Sequence, residues 1–292
     1  MASVSVRPRL RGRPGRLIGS VLFYAAVIAF LVSILLPIYY ISLTAFSPGA
    51  RLFTVPLTYL PASLNLEHFR AVLTNLPLVR YFVNTVFLAT VSTLLGLLVN
   101  FLGTYAIARL HFPGANLVML GLLASSLLPG VTTVIPLFQM YQQLGLMNTL
   151  QGLLLLYTSA LLPFTTWLLV SFLRQVPEEV EEAAKVDGAG IVPVLWSIVL
   201  PMIRAGMATL FIINFIANWN EFFIPLIFSP SGDTKVITMA LFEAQTIGSG
   251  SQFYASWGNV SAVALIVIVP IFVMTLVFQK QIVEGIMAGV FK

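Results

Sequence analysis

Cysteine is absent from this 292-residue chain, which excludes disulfides, iron–sulfur clusters and thiol catalysis and leaves the redox compartment open. Charge is scarce too: Asp, Glu, Lys and Arg make up 9% of the residues, against about 25% in ordinary soluble proteins. The only histidines, His68 and His111, fall in different loops, so neither a His-rich metal cluster nor a nucleophile–base pair is in view. No Gly-rich loop ending in Gly-Lys-Ser/Thr occurs, which excludes a Walker-type phosphate cradle. Passage rather than chemistry is the expected task, with no catalytic residue, no metal and no cofactor in this chain.

Hydrophobic residues are what the chain has in excess, at 59%, with a mean hydropathy of +0.98. An all-α, polytopic membrane protein with no soluble domain is the implied class. The first apolar run is too long for a signal-peptide core and is expected to stay as a span. Six spans are expected, over about 17–46, 81–108, 115–141, 150–172, 203–228 and 258–278. Pro129-Gly130 and Pro136 interrupt the third, and Pro48, Pro56, Pro61 and Pro77 break helical periodicity in the loop after the first. Arg7, Arg9, Arg11, Arg13 and Arg16 precede the first span and mark that end as cytoplasmic. With six spans both termini lie inside, and of the Lys and Arg residues only Arg51, Arg70, Arg80 and Lys235 fall outside. The formal charge of +5 is spread along loops, so it reads as a topology signal in a multi-pass protein of the cell membrane, with lipid and not nucleic acid as its surroundings. The chain divides into a tail over 1–16, a transmembrane domain over 17–279 with a charged loop at 173–202, and a second tail over 280–292.

One strongly charged stretch interrupts this pattern, Glu178-Glu-Val-Glu-Glu-Ala-Ala-Lys-Val-Asp-Gly188. Pro177 suits the first turn of a helix, the glutamates crowd the positive end of its dipole, and Gly188 supplies a stop. Glu181 and Lys185 are spaced for a supporting i,i+4 pair. Val180, Ala183, Ala184 and Asp187 share one small, shallow face that another surface can approach closely. A solvated connector helix and a docking helix are both compatible with these residues.

The wider spacing separates them. Glu182-Ala183-Ala184, then Asp187-Gly188, then Ile198 and Leu200-Pro201 resembles the EAA signature of ABC importer permeases, membrane subunits that pair with separate ATPases. Tyr81-Phe-Val-Asn-Thr85, Tyr105-Ala-Ile-Ala-Arg109 with Phe112-Pro-Gly114, and Leu144-Gly-Leu146 with Asn148-Thr149 are similar to the carbohydrate-importer branch. So are Trp219-Asn-Glu-Phe222 with Pro225-Leu226 and the ending from Val283 to Val290. Within that branch the match is to the smaller permease of the maltose-type heterodimer, with a type I permease fold. Ala205 departs from the pattern, which often has proline there, and before Leu78 the match is weak. The resemblance implies a partner permease, two copies of a cytoplasmic ATPase that bind the ATP, and an extracytoplasmic sugar-binding protein. It also implies that Glu182, Ala183, Ala184, Asp187, Gly188, Leu200 and Pro201 form the ATPase-coupling site.

Polar residues inside spans are costly in lipid unless they face protein or water. Asn84, Asn100, Gln139, Asn214, Asn218, Asn220 and Glu221 are such residues, and Asn84, Asn218, Asn220 and Glu221 are the candidates for a translocation path. Interhelical packing is the alternative for each amide. Glu221 has two roles open to it, lining a vestibule or capping a neighbouring helix. Trp167, Trp196, Trp219 and Trp257 are expected in interfacial belts. The Gly248-Ser-Gly-Ser251 run is either a plain connector or a reach towards the binding protein, and the apolar stripe from Ile282 to Phe291 suits the membrane surface or an ATPase. Two further alternatives are an ABC permease for a non-sugar solute and a gradient-driven secondary transporter, the latter needing an ionisable residue such as Glu221 near the midplane.

Overall fold

The computed structural model describes residues 14–49, 59–60, 64–110, 112–127, 130–247 and 253–290, with the backbone alone at 14–18, 130–131, 253–256 and 281–290. Those residues form helices and no strand. In order they are α1 (Pro14–Phe46), α2 (Glu67–Asn75), α3 (Leu78–Arg109), α4 (Ala115–Leu127), α5 (Gly130–Gln143) and α6 (Leu150–Leu173). Then come α7 (Glu178–Val186), α8 (Ile191–Met202), α9 (Arg204–Trp219), α10 (Phe223–Phe228), α11 (Met239–Glu243) and α12 (Phe253–Val290). His111, Pro129, Gln252 and the first thirteen residues lie outside the described residues, as do the side chains of the apolar stripe from Ile282 onward.

Among the described residues four helices, α1, α3, α6 and α12, are long and apolar enough to cross a membrane. Two bent pairs raise that to six if each is one span: α4 with α5 at 100°, and α8 with α9 at 77°. The expected third span is therefore broken near Pro129-Gly130, whereas Pro136 is accommodated inside α5. The expected fifth span, 203–228, ends at Trp219 and resumes only at Phe223. Asn220 turns its amide back onto the Ile216 carbonyl at 2.8 Å, and the Glu221 carboxylate accepts from the Ile224 amide at 2.9 Å. Side chains that satisfy the backbone of adjoining turns in this way compete with a continuous helix. The bond from Ile224 makes the Glu221 carboxylate a cap on the start of α10.

The frame consists of α3, α6 and α9. Asn100 of α3 faces Thr166 of α6 and Asn218 of α9 faces Ser92 of α3, so α6 runs parallel to α3 and α9 antiparallel to both. Small residues let the backbones close up: Gly96 of α3 packs under Leu161, and a Cβ on Gly206 of α9 would come within 2.6 Å of the Phe172 ring. Close approach at small residues is how helices associate where lipid is as apolar as the side chains. Apolar clusters fill both ends. At the Arg109 end Leu97, Phe101, Tyr105, Leu169, Leu173, Val194, Val199 and Leu210 pack together. At the Leu78 end Trp219 is buried with Tyr81, Ile237, Ala262 and Val263, so Trp219 is a core residue and not part of an interfacial belt.

The long loop after α1 holds one element that its prolines concealed. Helix α2 carries His68 inward, where Nδ1 meets Asn259 Oδ1 at 3.0 Å and Nε2 meets the Ser47 carbonyl at 3.1 Å. The imidazole lies flush on Gly258, where an added Cβ would sit 2.2 Å from Nε2. A buried polar ring needs both partners, and the glycine makes the approach possible. Gly258→Val is expected to expel His68 and cost at least about 1–3 kcal/mol through overpacking. Thermal unfolding in mild detergent checks this: a midpoint equal to wild type would show that α2 does not depend on the close contact.

Candidate functional site

Helix α7 is the charged island of the molecule. Pro177 leads into it with an extended ψ of 132°, and Glu178, Glu179 and Glu181 occupy its first turn, where the unpaired amides favour negative charge. Its end is closed by backbone bonds: Gly188 N–H donates to the Lys185 carbonyl at 3.0 Å and Ala189 N–H to that of Ala184 at 2.9 Å. That pairing requires a left-handed residue between them, and Gly188 supplies it with φ of +87°.

The helix faces the bundle through a side chain whose role differs from the expected one. Glu181 is buried and does not serve as a surface partner for Lys185. Its Oε1 accepts from Arg109 Nε at 2.9 Å, and its Oε2 accepts from the Tyr105 hydroxyl at 3.0 Å. Arg109, at the last residue of α3, also donates to Glu178 Oε1 at 2.9 Å, to the Leu173 carbonyl at 3.1 Å and to the Val176 carbonyl at 2.6 Å. One planar guanidinium thus joins the end of α3, the end of α6 and the first turns of α7, a task suited to a group with five fixed donors. The Leu173 carbonyl, at the last residue of α6, also accepts from the Val176 amide at 3.0 Å, so the guanidinium reinforces the turn that leads out of that helix.

Seating α7 this way fixes which residues it presents outward. Glu179, Glu182, Ala183 and Val186 are exposed at i, i+3, i+4 and i+7, and Val186 is 87% exposed. The expected face of Val180, Ala183, Ala184 and Asp187 is rotated from this one, because Ala184 packs against the Leu173–Val199 cluster. Asp187 and Gly188 are exposed at the helix end, while Leu200 is half-buried and Pro201 exposed at the far end of α8. Tyr105 and Arg109 stood in the sequence as part of a resemblance without a role. A cation at the last residue of a span, opposite an acid-rich loop, was the signal available.

The other polar candidates lie deeper. Asn100 donates to the Gly96 carbonyl at 2.7 Å and accepts from Thr166; Asn214 donates to Thr165 at 2.9 Å; Asn218 donates to Ser92 at 2.7 Å. Each of the three interfaces among α3, α6 and α9 therefore holds an amide bonded to a hydroxyl, with Asn218 reaching Thr93 at 3.3 Å as well as Ser92. Such a bond contributes about 0.6 to 2 kcal/mol in an apolar bundle. Asn84 holds the loop beyond α10, donating to the carbonyls of Asp233 at 2.7 Å and Lys235 at 2.9 Å. Arg80 pairs with Asp233 beside it, and Glu243 accepts from the Tyr81 hydroxyl at 2.8 Å and pairs with Lys235. Among the four path candidates, Asn84 and Asn218 are buried, Glu221 is half-buried and Asn220 is exposed.

Residues 92–283 match the family described as binding-protein-dependent transport system inner membrane component. The chain is 32% identical over 295 residues to a sulfoquinovosyl glycerol transport system permease of Agrobacterium fabrum, covering 99% of each. It is 31% identical over 269 residues to a diacetylchitobiose uptake system permease of Streptomyces coelicolor, covering 92% of this chain and 88% of that one. It is 33% identical over 214 residues to a trehalose/maltose transport system permease of Thermococcus litoralis, covering 73% and 75%.

The two acids on Arg109 differ in burial, and so in what they hold. The Arg109 and Glu181 side chains are 8% and 3% exposed, whereas Glu178 is 55% exposed. Arg109→Ala leaves a buried carboxylate without its counter-charge and is expected to cost about 3–5 kcal/mol. Glu178→Ala removes a solvent-screened pair and is expected to cost about 1 kcal/mol or less. Amide exchange over 178–186 reads both, and equal protection in the two variants would refute the ranking.

Proposed function

The chain belongs to the binding-protein-dependent transport system inner membrane component family, and from that premise we propose that it is the membrane-spanning permease subunit of an ATP-driven sugar or oligosaccharide importer. Relatives of high coverage named for sulfoquinovosyl glycerol, diacetylchitobiose and trehalose/maltose transport support the substrate class. The subunit forms half of the translocation path, works with a second permease, and receives its solute from an extracytoplasmic binding protein. ATP is bound and hydrolysed by two copies of a separate cytoplasmic ATPase. Six spans place both termini and the α7 end of the bundle in the cytoplasm, and the tail over 280–292 lies against the ATPase pair.

The observation that carries this reading is the mounting of α7. A short helix that shows acids and small apolar groups outward, while a buried ion pair locks it to the ends of α3 and α6, suits the transfer of force from a moving partner. Glu182, Ala183 and Val186 meet the ATPase, Asp187 and Gly188 close the helix, and Leu200-Pro201 end α8 where it bends into the bundle. The polar ring of Asn100, Asn214 and Asn218 makes α3, α6 and α9 move as one body. Asn220 and Glu221 border the path, with Asn84 and Asn218 supporting it from behind. Glu221, the acid that an ion-driven carrier would require, is engaged as the cap of α10, which favours ATP as the energy source.

Two variants test the coupling in a reconstituted complex. Gly188→Val forces a branched residue into a left-handed turn, at a cost of about 1–2 kcal/mol or more, with open space where its Cβ would lie. Expected is a complex that still assembles but loses most ATP-driven uptake; uptake at the wild-type rate would overturn the role of the turn. Glu182→Lys reverses charge on the exposed face and is expected to release the ATPase on pull-down. Full retention of the ATPase would exclude this face from the contact.

A further inference from the structure

Immediately after α7 the character of the surface changes. From Gly188 to Ile203 there is no charged residue, and charge resumes only at Arg204. Helix α8 occupies most of this stretch and is apolar on both sides. Its inner side buries Val194, Leu195 and Val199, followed by Ile203, in the cluster at the Arg109 end. Its outer side presents Ile191, Val192, Trp196 and Met202, each between 45% and 60% exposed. A helix that is hydrophobic all round is covered on all sides in its working state.

We propose that the outer side of α8 lies in the lipid at the boundary of the bilayer, as an in-plane interfacial helix. Three observations select lipid over a protein partner. First, α8 is bent 77° from α9, the antiparallel member of the frame, so it runs across the bundle rather than along it. At twelve residues it is about 18 Å long, too short to cross about 30 Å of hydrocarbon. Second, the two consecutive helices α7 and α8 sort by solvent. The first exposes Glu179, Glu182 and Lys185 among small apolar residues; the second exposes no charge, only aliphatic side chains, an indole and the Ser197 hydroxyl. A boundary between water and lipid passing near Asp187–Ile191 accounts for so abrupt a change. Third, the Trp196 ring is held edge-on against Phe101 of α3 at 5.8 Å and remains 45% exposed, so its outward part is fixed at the rim of the bundle. Tryptophan favours the headgroup level, where an apolar body and an N–H can both be satisfied. The exposed guanidinium of Arg204 at the bend complements the phosphates of anionic lipid there.

The middle of α8 serves this placement. Over Val194–Val199 the winding is that of a π-helix, with a wider turn than the flanking segments. The wider turn keeps Val194, Leu195, Val199 and Ile203 on the buried side while Trp196 stays outward.

The absence of native cysteine makes the test direct, and it does not depend on the transport reading. Val192→Cys, Met202→Cys and, as a control at the exposed residue that follows α6, Arg174→Cys are each spin-labelled in the full chain with its co-purifying subunits. The complexes are reconstituted in phosphatidylethanolamine vesicles containing a minority of phosphatidylglycerol. At Val192 and Met202, collisions with oxygen are expected to exceed those with a water-soluble nickel chelate several-fold, and at Arg174 the order reverses. Nickel access at Val192 and Met202 would place α8 in water and overturn the proposal. Low access to both reagents would overturn it in favour of a protein partner. Brominated lipid provides a measurement on the unlabelled chain: the emission lost in Trp196→Phe is expected to be the strongly quenched fraction. An unquenched Trp196 contribution would likewise refute the lipid contact.

Discussion

A buried cation at the end of a membrane helix is expensive, and the Arg109 end of this bundle is arranged around making that charge tolerable. The guanidinium has two carboxylates and two backbone carbonyls as acceptors, drawn from the end of α6, the connection after it and the start of α7. Removing water from such a group is unfavourable unless every donor is satisfied, so the arrangement is one the chain adopts whole or not at all. Tyr105, one helical turn earlier on α3, holds the second oxygen of Glu181 and fixes the rotation of the carboxylate. The orientation of α7, and with it the identity of the exposed face, follows from this attachment together with the packing of Ala184 on the cluster beneath it.

Inside the bundle the same principle operates without charge. Asparagine and threonine are poor residues to leave against lipid, and those at positions 100, 165, 166 and 214 are buried and paired between helices. Apolar side chains alone would let three helices slide past one another, since lipid packs against them almost as well. Directional bonds at each interface specify the register. The frame is thereby fixed in register along its middle, with the bend at Ile203 at its edge.

Much of this was legible in the sequence. Composition implied an all-helical membrane protein, and the spans expected over about 81–108 and 150–172 lie close to α3 and α6, whereas α12 extends beyond the expected 258–278 at both ends. The glycine stop of α7 was visible because a helix end that needs a left-handed residue leaves that residue in the sequence. Three features were not legible. The i,i+4 spacing of Glu181 and Lys185 described a local pair, but a cation from a distant span outcompeted it, and no local pattern reports such a partner. The break at Asn220–Phe222 was hidden because the apolar pattern resumes beyond Asn220 and Glu221, and no local pattern showed that these two bond to the backbone of adjoining turns. His68 was invisible for a similar reason: both its partners and the glycine beneath it come from other parts of the chain.

Helix α12 has a geometric property that the shorter helices lack. Its 38 residues run from Phe253 to Val290 with Pro270 inside, a length of about 57 Å. The hydrocarbon it is long enough to cross is about 30 Å thick, so some of it projects beyond. A rod of those proportions is a lever. Tilting it by about 10° about one end sweeps the other through about 10 Å, comparable to the distance between the axes of packed helices. Its first turns are fastened, with Gly258 against His68 and Asn259 bonded to the Ile247 carbonyl, and those contacts act as the pivot. A change of tilt at the Leu78 end of the molecule would be magnified along the helix towards its opposite end, with Pro270 as the one proline between.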